Sequence, residues 1–324
     1  MFDIDQRAKA LDDARRIRIL KSQDIDVDKY SNVQGVETKV KEASEFLNEI
    51  QEDFINPPEN LVCTMPWVKT WATFNFRPGE VTVYAGGNGG GKSLITGQVA
   101  LGLLKQSHRV CIASFEMKPK RTLLRMLRQF GGIDLEGQSQ SVVESLISRF
   151  KGFAQSNLWM YDQQGTTSPR TVIAMARYCA MELAVTHIFI DSLLKCVMNE
   201  DDYNEQKKFV DELTSVARDC QVHIHLVHHI RKLASEESTP NKNDIKGSGS
   251  ISDQVDNVLM MFRNKKKEHD QNSDPATPDA MLMCEKQRNG EAEEWYSLWY
   301  HKPSQQFVEA HDAIPMSFDD VGDF

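Results

Sequence analysis

Gly86-Gly87-Asn88-Gly89-Gly90-Gly91-Lys92-Ser93 is a run suited to holding phosphate, and it fits the pattern G-x-x-x-x-G-K-[ST]. It follows the strand-like run Val81 to Ala85 and leads into the apolar, helix-like segment Leu94 to Leu104. Glycines let backbone N–H groups turn inward around phosphate oxygens, and the helix N-terminus adds a favourable dipole. Lys92 can reach the terminal phosphates and Ser93 can ligate Mg²⁺. Residues Gly86 to Leu94 are therefore the expected contact with a nucleoside triphosphate, ATP or a dNTP, carried with Mg²⁺.

Two carboxylates follow at strand ends. His187-Ile-Phe-Ile-Asp191 is an apolar strand closing in an acid, where a phosphate-loop fold can hold Mg²⁺ through water beside Ser93. Ser114-Phe-Glu116-Met117 ends the strand after the phosphate-loop helix, and Glu116 there can orient or deprotonate an attacking water.

These groups need a scaffold, and the chain supplies one. Its 324 residues, 40% of them apolar, are enough for one large α/β domain with appendages. Residues 61–308 alternate short apolar strands with helices, the pattern of a mainly parallel sheet covered on both faces. The expected strands are Val81 to Ala85, Val110 to Ser114, Leu158 to Tyr161, His187 to Asp191, Val222 to Val227, Asn257 to Phe262, Ala280 to Glu285 and Trp295 to Tyr300. Asn264 to Pro278 reads as a mobile loop.

Residues 1–60 form a charged N-terminal helical and linker segment, in which Val40, Ala43, Leu47, Ile50 and Phe54 recur at helical spacing. That stripe must be covered by its own domain or by a neighbouring subunit. Pro57-Pro58 closes the segment. Residues 309–324 form an acidic tail ending in Phe324.

Composition narrows the function classes. A net charge of −9 argues against broad coating of nucleic acid, though it allows a few basic loops inside a channel. No apolar run approaches about 18 residues, and Asp3 and Asp5 stand where a signal peptide needs a basic start, so a cytoplasmic protein is expected. The six cysteines contain no C-x-x-C pair, which suggests neither a zinc site nor a disulfide framework.

Ser114-Phe-Glu-Met-Lys-Pro119, Lys246-Gly-Ser-Gly-Ser-Ile251 and Glu285-Lys-Gln-Arg-Asn-Gly290 together resemble three successive motifs of the RecA-like motor in ring-shaped replicative helicases. That group includes the bacterial DnaB helicases, phage primase-helicases and the mitochondrial Twinkle helicase. The resemblance spans roughly residues 60 to 308. It implies a RecA-like P-loop NTPase core in a hexamer that hydrolyses NTP between subunits and translocates on single-stranded DNA, usually 5′ to 3′.

Residue by residue, the resemblance makes Lys92 and Ser93 the phosphate-loop pair, Glu116 the catalytic base, Asp191 the Mg²⁺-associated acid and His229 the sensor of the γ-phosphate. Lys286 and Arg288 become the basic pair entering the neighbouring subunit's site, Arg288 as the arginine finger, whose planar charge suits a phosphoryl-transfer transition state. Arg263 and Tyr300 resemble the pair that sandwiches the base in phage members. Arg231, Lys232, Lys242 and Lys246, with Gly247, Ser248 and Gly249, form the expected DNA-contacting loops. Asp253 stands where the family typically has Gln, which here is Gln254.

No primase-like motif precedes the motor, so the sequence reads as a helicase motor whose primase would be another polypeptide, in the manner of a phage protein. The acidic, aromatic-ended tail resembles those of phage replication proteins and would recruit a partner such as a DNA polymerase. Two other readings use the same phosphate loop: a RecA- or RadA-like recombinase that forms filaments, and an NTP-switched module that binds partners without unwinding. The Lys-Gln-Arg-Asn-Gly run favours the helicase.

Overall fold

The computed structural model describes residues 18–31, 43–55, 63–199, 201–233, 235, 237–247, 249–270 and 272–319. Among them ten strands form one sheet: β1 Arg18–Leu20, β2 Val81–Gly86, β3 Val110–Ser114, β4 Leu158–Tyr161, β5 His187–Asp191, β6 His223–His229, β7 Asn257–Arg263, β8 Ala280–Gln287, β9 Trp295–His301 and β10 Gln306–Val308. Their order is β1-β4-β3-β5-β6-β2-β7-β8-β9-β10. From β1 to β7 every pairing is parallel, and β8, β9 and β10 extend the sheet antiparallel.

The central strands are Val- and Ile-rich and buried along their whole length, as expected of parallel strands covered on both faces. Helices α1 Val27–Ser31, α6 Pro169–Leu183 and α7 Tyr203–Cys220 cover one face; α3 Lys92–Lys105, α4 Pro119–Gly131 and α5 Gln140–Ala154 cover the other. The remaining helices are α2 Ala43–Ile55, α8 Ser250–Gln254 and α9 Lys265–His269.

Local chemistry sets the helix starts. Asp202 accepts from the backbone N–H groups of Asn204 and Glu205 to cap α7. Ser168 caps α6, and Pro169 supplies the fixed φ suited to its first turn.

The segment boundaries differ from those expected. Arg18–Leu20 pairs with Trp159 to Tyr161 as an edge strand, and Tyr30 is buried against Tyr178 on α6, so part of the first 60 residues belongs to the core domain. A three-residue strand paired across a long sequence interval leaves no periodic signal.

Within α2, Leu47, Ile50 and Phe54 are exposed, Phe54 at 85%, so this domain does not bury that part of the stripe. Val40 lies outside the described residues.

At the other end, Phe318 is only 2% exposed and Asp319 pairs with Arg149 of α5. The acidic tail drawn from residue 309 is therefore packed on the domain as far as Asp319, because Met316 and Phe318 add apolar surface to the core. Phe324 lies outside the described residues. Asn264 to Pro278, read as a loop, contains α9, whose first turn is capped by the Asn264 side chain.

Strand β10 ends the sheet against side chains instead of another strand. Gln98 of α3 donates to Phe307 O at 2.9 Å and accepts from Phe307 N at 2.8 Å.

Candidate nucleotide site and its distant arginine

Parallel pairing brings the carboxyl ends of β2, β3, β5 and β6 to one edge of the sheet. Gly86 is in register with His229, and Ser114 with Asp191. This is where open α/β sheets bind ligands.

The loop after β2 turns into α3 through Gly91, whose φ of +92° is costly for residues with a Cβ and whose added Cβ would meet the Phe307 ring at 3.0 Å. Lys92 folds into the loop, with Nζ donating to Gly86 O at 2.8 Å and Gly87 O at 3.0 Å. Burial lowers its pKa, partly offset by the carboxylates of Asp191 and Glu116. An incoming phosphate would replace these carbonyls as the ammonium's partner.

Ser93 Oγ donates to Asp191 Oδ2 at 2.8 Å. Burial raises the Asp191 pKa against that hydrogen bond. A hydroxyl and a carboxylate oxygen in contact are hard donors fitting Mg²⁺, which also favours the ionised acid.

Glu116 faces the same cavity. Its Oε1 lies 3.5 Å from His229 Nε2 and accepts from Ser192 Oγ at 2.7 Å. The hydrogen bond from His229, ahead of that from Ser192, holds the Glu116 carboxyl at about 2 against the opposing effect of burial. In this state the expected base is ionised and occupied.

A cavity of about 840 Å³ collects the phosphate loop, Glu116, Arg125, Asp191 and His229. A second of about 850 Å³ shares Glu116 and His229 with it and runs along Arg231, Lys232 and Lys246. The nucleotide cleft thus opens directly onto the basic loop after β6.

That loop is organised by β6 itself. His229 O accepts from Lys246 N at 2.9 Å, and His228 Nε2 donates to Lys246 O at 2.6 Å. Ile230 bridges Ile245, and Gly247 takes a φ of +106° with Gln206 so close that a Cβ would sit 2.6 Å from its Oε1.

The basic residues expected to face DNA are differently placed. Arg231 pairs with Asp244 at 3.0 Å, and Lys242 donates to Glu285 O at 3.2 Å. Lys232 and Lys246 line the second cavity. Gly249 precedes α8, and Ser248 lies outside the described residues.

Arg263 Nη1 donates to Gly89 O at 2.9 Å and its guanidinium also pairs with Glu268, so it braces the phosphate loop. Tyr300 lies against Phe307, ring centres 5.3 Å apart, and lines neither cavity. The structure therefore brings Arg263, but not Tyr300, to the cleft.

Lys286 and Arg288 lie at the opposite edge. Lys286 is in register with Val258, whereas Met261 is the β7 residue beside Gly86. Arg288 N donates to Asp256 O, roughly 16 Å of strand before Met261. Its guanidinium sits 3.3 Å from Asp256 and is partly exposed. Neither residue can serve this chain's own loop.

Both pack on the end of α8, where Arg288 Nη2 donates to Asp253 O at 3.0 Å. Lys286 Nζ donates to Ser252 O, Asp253 O and Val255 O at 2.8, 3.0 and 2.8 Å, capping the end of α8. An ammonium has three donors, so all are committed, and the expected reach of Lys286 into a neighbour's site conflicts with this packing.

Residues 71–309 match the DnaB-like helicase C terminal domain. The chain belongs to that family. It is 23% identical over 201 residues to the replicative DNA helicase DnaB of Helicobacter pylori strain J99, an alignment covering 59% of this chain and 41% of the relative. The DnaB of strain 26695 matches with the same identity and coverage. The chain thus spans about two fifths of the length of the curated relatives it matches.

Among solved structures, a separately determined ATPase domain superposes with a TM-score of 0.71 at 17% identity, covering 84% of this chain and 99% of that one. A DnaB-like replicative helicase studied with its primase gives 0.70 at 16%, covering 84% and 68%. At these identities the likeness concerns the fold, and it agrees with the expected mainly parallel RecA-like core.

Three residues of this DnaB-like domain escaped the sequence reading. Ser192 holds Glu116, and Arg125 and Gln164 line the phosphate cavity. Ser192 could have been found as the neighbour of Asp191, whereas Arg125 lies mid-helix with no local signal.

Proposed function

We propose that this chain is the motor of an NTP-driven replicative DNA helicase that works as a hexameric ring and moves along single-stranded DNA, 5′ to 3′. The observation supporting it is the division of the machinery between two sheet edges. Lys92, Ser93, Glu116, Asp191 and His229 meet at one, and Arg288 stands at the other. A site that needs an arginine from the far edge is completed by a second copy.

In this reading Lys92 holds the β and γ phosphates of ATP or a dNTP, while Ser93 and Asp191 hold Mg²⁺, which neutralises charge on the phosphates. Glu116 takes the proton of the attacking water as its oxygen bonds to the γ-phosphorus and the bond to the bridging oxygen breaks. His229 touches Glu116 on one side and carries Lys246 through its backbone on the other, so loss of the γ-phosphate would be passed to the loop that follows the DNA.

Lys232 and Lys246, which line the second cavity, would be the phosphate-facing cations of that loop, joined by Arg231 once it leaves Asp244. The exposed face of α2 would dock on the neighbouring subunit. Residues beyond Asp319 remain the part of the tail suited to recruiting a polymerase, and a primase would act in trans.

Mixing is the test. Lys92→Ala and Arg288→Ala proteins should each lose DNA-stimulated hydrolysis, by roughly a thousand-fold. Mixed rings should recover part of it wherever an intact loop meets an intact finger. No recovery in rings shown to contain both variants would overturn the shared site. Forked-duplex unwinding with electron microscopy separates a ring helicase from a recombinase filament or a switch that does not unwind.

A further inference from the structure

The amino ends of the parallel strands hold an unusual group of buried side chains on the α3 face. His187 begins β5 and His223 begins β6, with His225 two residues on; all three are buried. Around them stand Cys63, Tyr84, Phe76 and Phe189, also buried, and His108, half-buried in the turn between α3 and β3. Ligand atoms of Cys63, His108 and His187 all lie within 4.8 Å of one another.

We propose that Cys63, His108 and His187 form a binding site for a divalent ion of the zinc class, at the edge of the sheet opposite the nucleotide. A thiolate with two neutral imidazoles is a donor set such ions prefer, and three protein ligands leave a fourth position for water.

The hydrogen bonds point the lone pairs the right way. Cys63 Sγ is 3.3 Å from His187 Nε2, and His187 Nδ1 is 3.0 Å from His225 Nε2. His225 Nδ1 in turn lies 3.1 Å from Tyr84 Oη. If His187 donates its Nδ1–H to His225, and His225 its Nδ1–H to Tyr84, then His187 Nε2 carries a lone pair and accepts the thiol proton. An ion between Cys63 and His187 would take the place of that proton and leave every other tautomer unchanged.

The third ligand is fixed the same way. Thr186 Oγ1 donates to Arg109 O at 3.2 Å and lies 3.4 Å from His108 Nδ1, from which it accepts, so the free lone pair of His108 is on Nε2.

The rings are held as second-layer partners of a metal should be. Phe189 stacks on His225 with centres 4.0 Å apart, and Phe76 meets the same ring edge-on at 4.8 Å. Tetrahedral bonds of about 2.0 to 2.3 Å set ligand atoms roughly 3.5 Å apart, a spacing that Cys63 and His187 nearly have. His108 must close by about an ångström, and it sits in a surface turn.

Burial keeps the His108 and His187 imidazoles neutral, the form that ligates. It also keeps the Cys63 thiol protonated, so one proton must leave to solvent as the metal–sulfur bond forms. Cys63 bridges Phe76, and this strap carries Trp67 and Phe74 into the core. An ion here would fasten the strap at Cys63 to two further elements, the turn between α3 and β3 and the start of β5.

The test uses the full chain after chelation, titrated with Co²⁺ and with Zn²⁺. Expected are a thiolate-to-cobalt charge-transfer band with tetrahedral d–d absorption, saturating at one ion per chain, and a rise in Tm with Zn²⁺. His108→Ala, a half-buried position tolerant of change, should fold normally and bind at least about tenfold more weakly. Cys63→Ser should lose the charge-transfer band. Absence of the band in the wild type, or equal affinity and Tm shift in wild type and His108→Ala, would overturn the site.

Discussion

The two edges of one sheet use the same kinds of side chain in opposite ways. At the nucleotide edge, Lys92, Ser93, Asp191, Glu116 and His229 border a large cavity, and each is bonded to a partner that a phosphate or a cation could replace. At the other edge His187, His223 and His225 are sealed among aromatic rings; His187 and His225 are bonded to each other, His225 also to Tyr84, and His223 to Thr82 and to Arg77 O. Exposure to a cavity leaves a polar group open to an incoming ligand; enclosure commits the same group to its protein neighbours unless an ion takes the place of a proton, as proposed between Cys63 and His187.

The comparison breaks most readily at Glu116. Glu116→Gln keeps the shape and loses the base, so it should bind NTP normally while turnover falls by about 10²- to 10⁴-fold. Measured single-turnover hydrolysis close to wild type would place the base elsewhere and remove the main reason for separating the edges.

A second experiment asks whether burial or edge decides. His228 sits next to His229 yet is fully enclosed, and burial lowers its pKa to about 4 despite the hydrogen bond to Lys246 O. A histidine with a depressed folded pKa is proton-poor relative to the unfolded chain below its ordinary value. Its contribution to stability is therefore complete above about pH 6.5 and falls away as the pH drops towards 4, by on the order of 3 kcal/mol. Urea melts between pH 7 and 4 should show this loss together with that of the similarly buried His187, His223 and His225, and His228→Gln should reduce the slope by its share. An unchanged slope would mean that His228 takes up its proton within the folded state.

The smallest expected effect refines the nucleotide edge. His229 is the main cause of the depressed Glu116 pKa, so His229→Ala should return the carboxyl towards its ordinary value and move the acid limb of the kcat/KM profile upward by roughly one pH unit. The linked stability runs the same way as that of His228, in a lower pH window. A depressed acid contributes above its unfolded pKa and loses that contribution only as the pH falls towards 2. An acid limb that stays in place would assign it to another group.

Much of the candidate site was legible in advance, because its residues follow their strands directly. Val81 to Gly86 and His187 to Asp191 are continuous apolar runs closing in the loop and the acid. What was hidden depends on strand order. Nothing local says that β8 runs antiparallel beside β7, yet that pairing carries Arg288 to the far edge and ties Lys286 to α8. The histidine group was hidden likewise: each residue occupies an ordinary strand start, and only the parallel register of β5, β6 and β2 gathers them. Strands β1 and β10, three residues each, are too short to show a period.

The glutamine at the end of the sheet has a bearing on assembly. An open strand edge is a template on which another copy can add itself, and a protein that works in copies is especially exposed to that error. Gln98, bonded both ways to Phe307 and anchored on the helix that begins at Lys92, occupies the positions a trespassing strand would need. The plug belongs to the helix that follows the phosphate loop, so this edge is closed wherever that helix is formed. A second chain approaching this end of the sheet must then meet helices, loops and side chains, surfaces that can slide and re-engage where a hydrogen-bonded ladder would lock.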